Sequence, residues 1–253
     1  MDFSKRLRKV EAIIITHREY GEADRLLVIY SREAGKINAI AKGVRRAHSR
    51  KAGHLEPFTR TLLMLAHGKS LWIVTQAETV EAYSPIKEDL LKTGYAAYIL
   101  ELLNKLTSEE EPNPALYRLT KETLDRIACL EDPFIAMRKF ELRLLEISGY
   151  RPELFQCVKC KAEIKPENQY FSAGQGGVLC PKCGTLTSES RAVTLDALKY
   201  LRYVQRSSYQ KAVQANIQKA TRLEIASLMQ YYLTYILERK LNALDFINEV
   251  RQD

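Results

Sequence analysis

Val10-Glu11-Ala12-Ile13-Ile14-Ile15-Thr16, Asp24-Arg25-Leu26-Leu27-Val28-Ile29-Tyr30 and Gly35-Lys36-Ile37-Asn38-Ala39-Ile40-Ala41 follow one another within residues 10–41. Each run is short, rich in β-branched side chains and bounded by turn-forming residues, so each is expected to be a strand. Thr61–Leu65 and Leu71–Gln76 add two more strands, joined by His67-Gly68-Lys69-Ser70, where Gly permits a tight hairpin. Five short strands so close together suit a small closed barrel. The OB-fold, the five-stranded barrel that often carries single-stranded nucleic acid, fits them. An SH3-like barrel fits the pattern almost as well.

Past residue 85 the apolar period lengthens to that of a helix. Leu90, Leu91, Tyr95, Tyr98, Ile99, Leu102, Leu103 and Leu106 recur three and four apart. Asn113-Pro114 and Asp132-Pro133 are helix start signals, Gly149 is a stop, and residues 194–250 are helical again. Between the helical blocks, residues 151–192 lack periodicity and hold four of the five cysteines. The expectation is an α+β multi-domain chain. Residues 1–80 would form an OB-fold domain and residues 81–150 with 193–253 an α-helical domain, into which a metal module, residues 151–192, is inserted.

That module carries the most specific signal: Cys157-Val158-Lys159-Cys160, then Cys180-Pro181-Lys182-Cys183-Gly184. Each CxxC places two thiolates on one side of a tight turn, and two such turns can complete a tetrahedral four-sulfur site for one Zn²⁺. Four thiolates leave no open position for water, so the ion would be structural. The rivals are an iron–sulfur cluster or a redox dithiol. Cys129, beside Leu130 in an apolar helical stretch, is expected to be a buried structural thiol.

The chain carries 39 Lys+Arg and 31 Asp+Glu over 253 residues, a net charge of +8. The excess is concentrated at the front, where residues 1–80 hold 15 basic and 8 acidic side chains. Such segregation points to a polyanion-binding surface in the barrel. Its centre is Lys42-Gly43-Val44-Arg45-Arg46-Ala47-His48-Ser49-Arg50-Lys51-Ala52-Gly53-His54, which has no carboxylate inside it and a glycine near each end, as a mobile loop would. Such a loop would hold phosphates regardless of sequence, and salt would weaken it steeply. Trp72 and Tyr30 are candidate stacking platforms, although an aromatic in a small barrel belongs more often to its core.

No GxxxxGK[ST], HExxH or GxSxG motif is present, and His17, His48, His54 and His67 are scattered, so no enzyme is expected. Lys5, Arg6, Arg8 and Lys9 precede an apolar run, Ile13–Ile15, too short for a signal peptide. No stretch approaches the ~20 apolar residues of a membrane span. A cytoplasmic protein with no membrane contact is expected.

Taken in order, the features resemble the RecO family of bacterial recombination mediators. The residues that carry the match are Tyr20-Gly21-Glu22-Ala23-Asp24-Arg25-Leu26, Ala41-Lys42-Gly43-Val44-Arg45-Arg46 with Ser49-Arg50, Phe140-Glu141-Leu142-Arg143-Leu144-Leu145, and Gly149-Tyr150-Arg151-Pro152 running into the CxxC pair. The similarity spans essentially the whole chain. It implies an N-terminal OB-fold, a helical domain with a zinc module, and a DNA-repair role in the RecF pathway, at the nucleoid. The family binds single- and double-stranded DNA and anneals complementary strands coated by single-strand-binding protein (SSB) without ATP. It works with RecR, and often RecF, to load RecA, and it docks the SSB C-terminal tail on its helical domain. The implied cationic surface falls on Lys42, Arg45, Arg46, Arg50 and Lys51, with an extension to Arg18, Arg25 and Lys36. Some members lack the cysteines, which agrees with a structural metal. An RNA-binding zinc protein and a thiol-redox enzyme are the alternatives from other classes.

Overall fold

The computed structural model describes residues 7–239 and 241–250; Lys5 and Arg6 lie outside them. The chain forms two compact units, residues 1–131 with 242–253, and residues 132–241.

The first unit opens with strands β1 (Leu7–Tyr20), β2 (Asp24–Ser31), β3 (Gly35–Ala41), β4 (Arg60–His67) and β5 (Trp72–Glu81), closed into a barrel of order β1-β2-β3-β5-β4. The β3–β5 pairing is parallel and all others are antiparallel. This Greek-key order is OB-like, and it decides between the two barrels that a strand count leaves open. Period-two alternation fills the interior. Leu27 and Ile29, Ile37, Ala39 and Ala41, and Leu63 and Leu65 all point inward onto Val10, Ala12 and Ile14.

β1 runs four residues past the expected Thr16. A bulge between Ile14 and Thr16 resets its register, and Thr16 to Tyr20 then pair with Val28 to Asp24 as a twisted ribbon. Ile13 and Tyr30, paired on the opposite side from the core, are fully buried as well. Tyr30 is therefore no stacking platform.

One end of the barrel is closed by polar groups. Arg25 Nη1 donates to Glu56 Oε1 at 2.8 Å, and His17 Nε2 lies 3.3 Å from Glu56 Oε2. Burial alone would raise the Glu56 pKa, but Arg25 and His17 outweigh it and hold the carboxyl below its usual 4.5. A depressed folded pKa gives stability that is present above the unfolded value and lost as pH falls through the folded one. Glu56→Gln should therefore flatten the acid side of the stability profile below about pH 4.5. Urea midpoints measured against pH would show this; an unchanged acid limb would remove Glu56 from the account.

Helices α1 (Ser84–Lys87), α2 (Leu90–Leu106) and α3 (Pro114–Cys129) complete this unit with α9 (Asn242–Val250) from the chain's far end. Asp89 caps α2 through Leu91 N and Lys92 N, and Asn113 caps α3 through Leu116 N. The Glu101 carboxylate accepts from Asn242 N and Ala243 N, placing a negative charge at the start of α9. Cys129 is exposed, against expectation. The buried stripe of α3 is Leu116, Tyr117, Thr120, Thr123, Leu124 and Ile127, and residue 129 falls off that stripe.

The second unit holds α4 (Phe134–Ile147), a three-stranded sheet of order β7-β6-β8, and helices α5 to α8. The strands are β6 (Gln169–Ser172), β7 (Gly177–Leu179) and β8 (Arg191–Val193), too short to show any period in the sequence. The helices are α5 (Pro181–Gly184), α6 (Leu195–Arg206), α7 (Tyr209–Ala212) and α8 (Lys219–Leu237). The helical segments that periodicity groups into one domain are thus shared between both units. Among the described residues, no helix is long and apolar enough to cross a membrane.

Candidate nucleic-acid interface and metal centre

The outer face of β1, β2, β3 and β5 is hollowed. One depression of about 410 Å³ is lined by Thr16, Arg18, Leu26, Val28, Asn38 and Leu71, among others. A second, of about 1050 Å³, is lined by Tyr20, Leu26, Ile40, Lys42, residues 67–71 and Ile73. Leu26 and Leu71 line both, so the two form a continuous apolar floor with Arg18, Lys42 and Lys69 along it. This is the β2–β3 face, flanked by the β1–β2 and β4–β5 loops, on which OB-folds seat oligonucleotides. Tyr20 stands at its rim, 54% exposed. An exposed ring beside half-buried Leu and Ile side chains can stack on a base. Tyr20 lies beyond the strand expected to end at Thr16, so the sequence does not single it out; its signal is the alternation Thr16, Arg18, Tyr20, legible only once β1 is extended.

The basic segment after β3 is a folded turn, where the terminal glycines suggested a mobile loop. Buried Val44 and Leu55 anchor it, and Arg45 N donates to Ala23 O. Gly43, at φ +64°, donates its N–H to Asp24 Oδ1 at 2.7 Å, a left-handed position that favours Gly. Lys51 Nζ donates to Lys42 O and Val74 O, tying the turn to β5. Arg45 pairs with Glu19 at 3.0 Å. Lys42, Arg46 and Arg50 are exposed and have no carboxylate partner among the described residues.

The outer set divides. Arg18 is exposed on the hollow. Arg25 is committed to Glu56, and Lys36 Nζ donates to Asn104 O at 2.7 Å. Burial lowers the Lys36 pKa, against the opposing pull of Glu109. Trp72 donates its indole N–H to Glu110 Oε1 at 3.1 Å and meets His67 edge-on.

In the second unit, Cys157, Cys160, Cys180 and Cys183 bring all four Sγ atoms within 4.8 Å of one another. Cys160 Sγ and Cys180 Sγ are 3.8 Å apart. Four sulfurs about 2.3 Å from one tetrahedral ion stand about 3.8 Å from each other, so the set fits a four-thiolate metal. The first knuckle closes through Lys161 N to Cys157 O, with Lys161 at φ +63°, and the second through Gly184 N to Cys180 O. Burial alone would raise the Cys157 pKa, but backbone N–H groups of Cys160, Cys180 and Lys159 bring it down to about 6. Hydrogen bonding to the neighbouring sulfurs pushes the Cys183 thiol up to about 12, so the four thiols share their protons as one cluster.

Gly184 is required by packing: a Cβ there would lie 2.3 Å from the Tyr170 ring. Gly184→Ala should destabilise the module by about 1–3 kcal/mol. A lower thermal midpoint with unchanged metal content would show this; an unchanged midpoint would contradict the packing assigned to Tyr170.

Comparison with known proteins comes to the same place. Residues 6–83 match the family described as Recombination protein O N terminal, and residues 87–245 match Recombination protein O C terminal. The chain is 39% identical over 247 residues to the DNA repair protein RecO of Roseiflexus sp. (strain RS-1), covering 98% of this chain and 87% of that one. It is 34% identical over 245 residues to the DNA repair protein RecO of Desulforamulus reducens, covering 97% and 95%. A third relative, the DNA repair protein RecO of Pelotomaculum thermopropionicum, is 34% identical over 98% of this chain and 96% of its own.

Proposed function

The chain belongs to the RecO family of DNA repair proteins, and on that premise we propose that it is a non-enzymatic recombination mediator that binds DNA on its barrel and anneals complementary strands. The observation that carries this is the barrel face: an apolar floor with Tyr20 at its rim, beside three exposed cations, Lys42, Arg46 and Arg50, that no carboxylate among the described residues neutralises. Phosphates would replace the counterions of those three side chains while Tyr20 stacks on a base. Arg18 would extend the track. Arg45 and Lys51 mainly shape the turn.

Annealing needs no ATP under this reading, because pairing and stacking supply the driving force once phosphate repulsion is screened. The protein would take strands coated by SSB, whose C-terminal tail docks on the helices, and would act with RecR, and with RecF, to load RecA at the cytoplasmic nucleoid. Double-stranded DNA would bind through phosphates alone. The four cysteines would hold one structural Zn²⁺: four soft thiolates in tetrahedral array are the donor set this ion takes.

Titrating a single-stranded DNA oligonucleotide at several salt concentrations tests the interface. The expected result is sequence-tolerant binding with a steep salt slope, and Tyr20→Ala should weaken it by about 1–3 kcal/mol. Equal affinity for Tyr20→Ala and the parent chain would take the ring out of the site. A strong preference for a matched RNA would contradict a DNA mediator.

A further inference from the structure

The second unit carries a cationic group that the barrel interface does not use. Phe155 lies two residues before Cys157, and two guanidiniums of α6 stack over its ring. Arg206 Cζ is 3.6 Å and Arg202 Cζ is 5.2 Å from the ring centroid. Arg202 Nε donates to Leu154 O at 2.7 Å, while its Nη2 is buried and has no hydrogen-bond partner. Gln205, on the same helix face, donates to Pro152 O and receives Arg151 Nη2 at 3.5 Å, which brings a third cation alongside, one whose Nη1 also lies 3.5 Å from Glu146 Oε1.

Such a group is unfavourable by itself. Arg202 and Arg206 are like charges four apart on one helix face, an arrangement that destabilises a helix. Burial and the Arg206 charge hold the Arg202 pKa below its usual value. Glu153 and Glu163 act on Arg202 from a distance, but the Glu153 carboxylate is occupied by Phe155 N and Gln156 N. Neither Arg202 nor Arg206 has a carboxylate within ion-pair distance among the described residues. Two like charges on one helix face, with no ion-pair partner among the described residues, are stabilised by an anion from outside, which exposed Arg206 can reach.

We infer that Arg151, Arg202 and Arg206, arranged around Phe155 beside the four-cysteine centre, form a second phosphate-binding site that holds the backbone of a second nucleic-acid strand. A guanidinium over a ring face keeps N–H donors at its edge, and exposed Arg206 and Arg151 present theirs to solvent, where phosphodiester oxygens can accept. The metal knuckle gives the plate its place. Cys157 N donates to Ala162 O and Val158 N to Val178 O, which fixes the chain immediately after Phe155. A metal centre without chemistry of its own thereby acquires a part in binding. The inference rests on the reading of the protein as a strand annealer, which requires two strands to be held by one molecule.

The test uses the full metal-loaded chain and oligo(dT) as probe. Arg151→Glu/Arg206→Glu alters two exposed side chains, and metal content with a thermal midpoint equal to the parent's checks folding. In a background where Lys42, Arg46 and Arg50 are already Glu, residual oligo(dT) binding should remain at low salt. Adding the two changes should lower its salt slope by about 1.4, at about 0.7 per phosphate contact, or about 25-fold in affinity near 0.1 M salt. With the barrel turn intact, the same pair should leave binding of one strand within about twofold yet slow annealing by about tenfold or more. Arg206→Lys, which keeps the charge and loses the fork, should recover part of the loss.

Annealing and residual binding both unchanged in Arg151→Glu/Arg206→Glu would overturn the site. So would residual binding of polyglutamate without oligo(dT), which would assign the cluster to an acidic protein. If the triple barrel change alone leaves oligo(dT) affinity untouched, the barrel reading fails, and the two-arginine arm still decides the second site separately.

Discussion

Replacing Lys42, Arg46 and Arg50 together by Glu is expected to lower single-stranded DNA affinity by about two orders of magnitude near 0.1 M salt, equally for all sequences. The magnitude follows from counterion release. Each phosphate contact on a single strand contributes about 0.7 to the slope of log affinity against log salt, so three contacts contribute about 2.1, or about 100-fold between 1 M and 0.1 M salt. These three are chosen because they are exposed and without carboxylate partners among the described residues, whereas Arg45 already pairs with Glu19 and Lys51 bonds two backbone carbonyls. Reversing Arg45 would therefore mix lost binding with repulsion from Glu19. Fluorescence anisotropy across a salt series reads slope and affinity together. A slope unchanged in the triple variant would remove the turn from the interface, even if affinity fell.

Loss of the metal should have the larger effect on stability. Cys160→Ser is expected to abolish tight metal binding and to unfold the module around β6, β7 and β8. Strands of three or four residues cannot bury enough apolar surface to hold themselves, and binding of structural zinc is worth about 10–16 kcal/mol in small modules. Val178, Leu179 and Phe171 are buried there, and Val178 O accepts from Val158 N of the first knuckle. The first unit holds its own core and should keep its thermal transition. Calorimetry with metal analysis would show one transition lost and one retained. A Cys160→Ser chain that melts like its parent would mean that the sulfurs do not organise the module.

The barrel was legible because its strands alternate cleanly: Ile37, Ala39 and Ala41 point one way, and so do Leu63 and Leu65. The closing order was not legible, since the parallel β3–β5 contact involves only Ala39–Trp72 and Ile40–Ile73. The polar end of β1 was hidden because Thr16, Arg18 and Tyr20 face outward and His17 faces a carboxylate at position 56. The four cysteines announced themselves by spacing. The fates of individual cations did not, because charge is local in sequence while its neutraliser is not. Arg25 meets a partner 31 residues away and Lys36 one 68 residues away, and only folding brings those groups together. Cys129 was misjudged for the same reason: an apolar neighbour in sequence is no guide to which side of a helix faces inward.

The most direct test of the account is annealing of two complementary oligonucleotides, each precoated with SSB, in the absence of ATP. Rapid duplex formation that requires this protein, and is largely lost when Lys42, Arg46 and Arg50 are reversed, is the expected result. No acceleration by a folded, metal-loaded chain, or acceleration that survives the triple reversal intact, would contradict it.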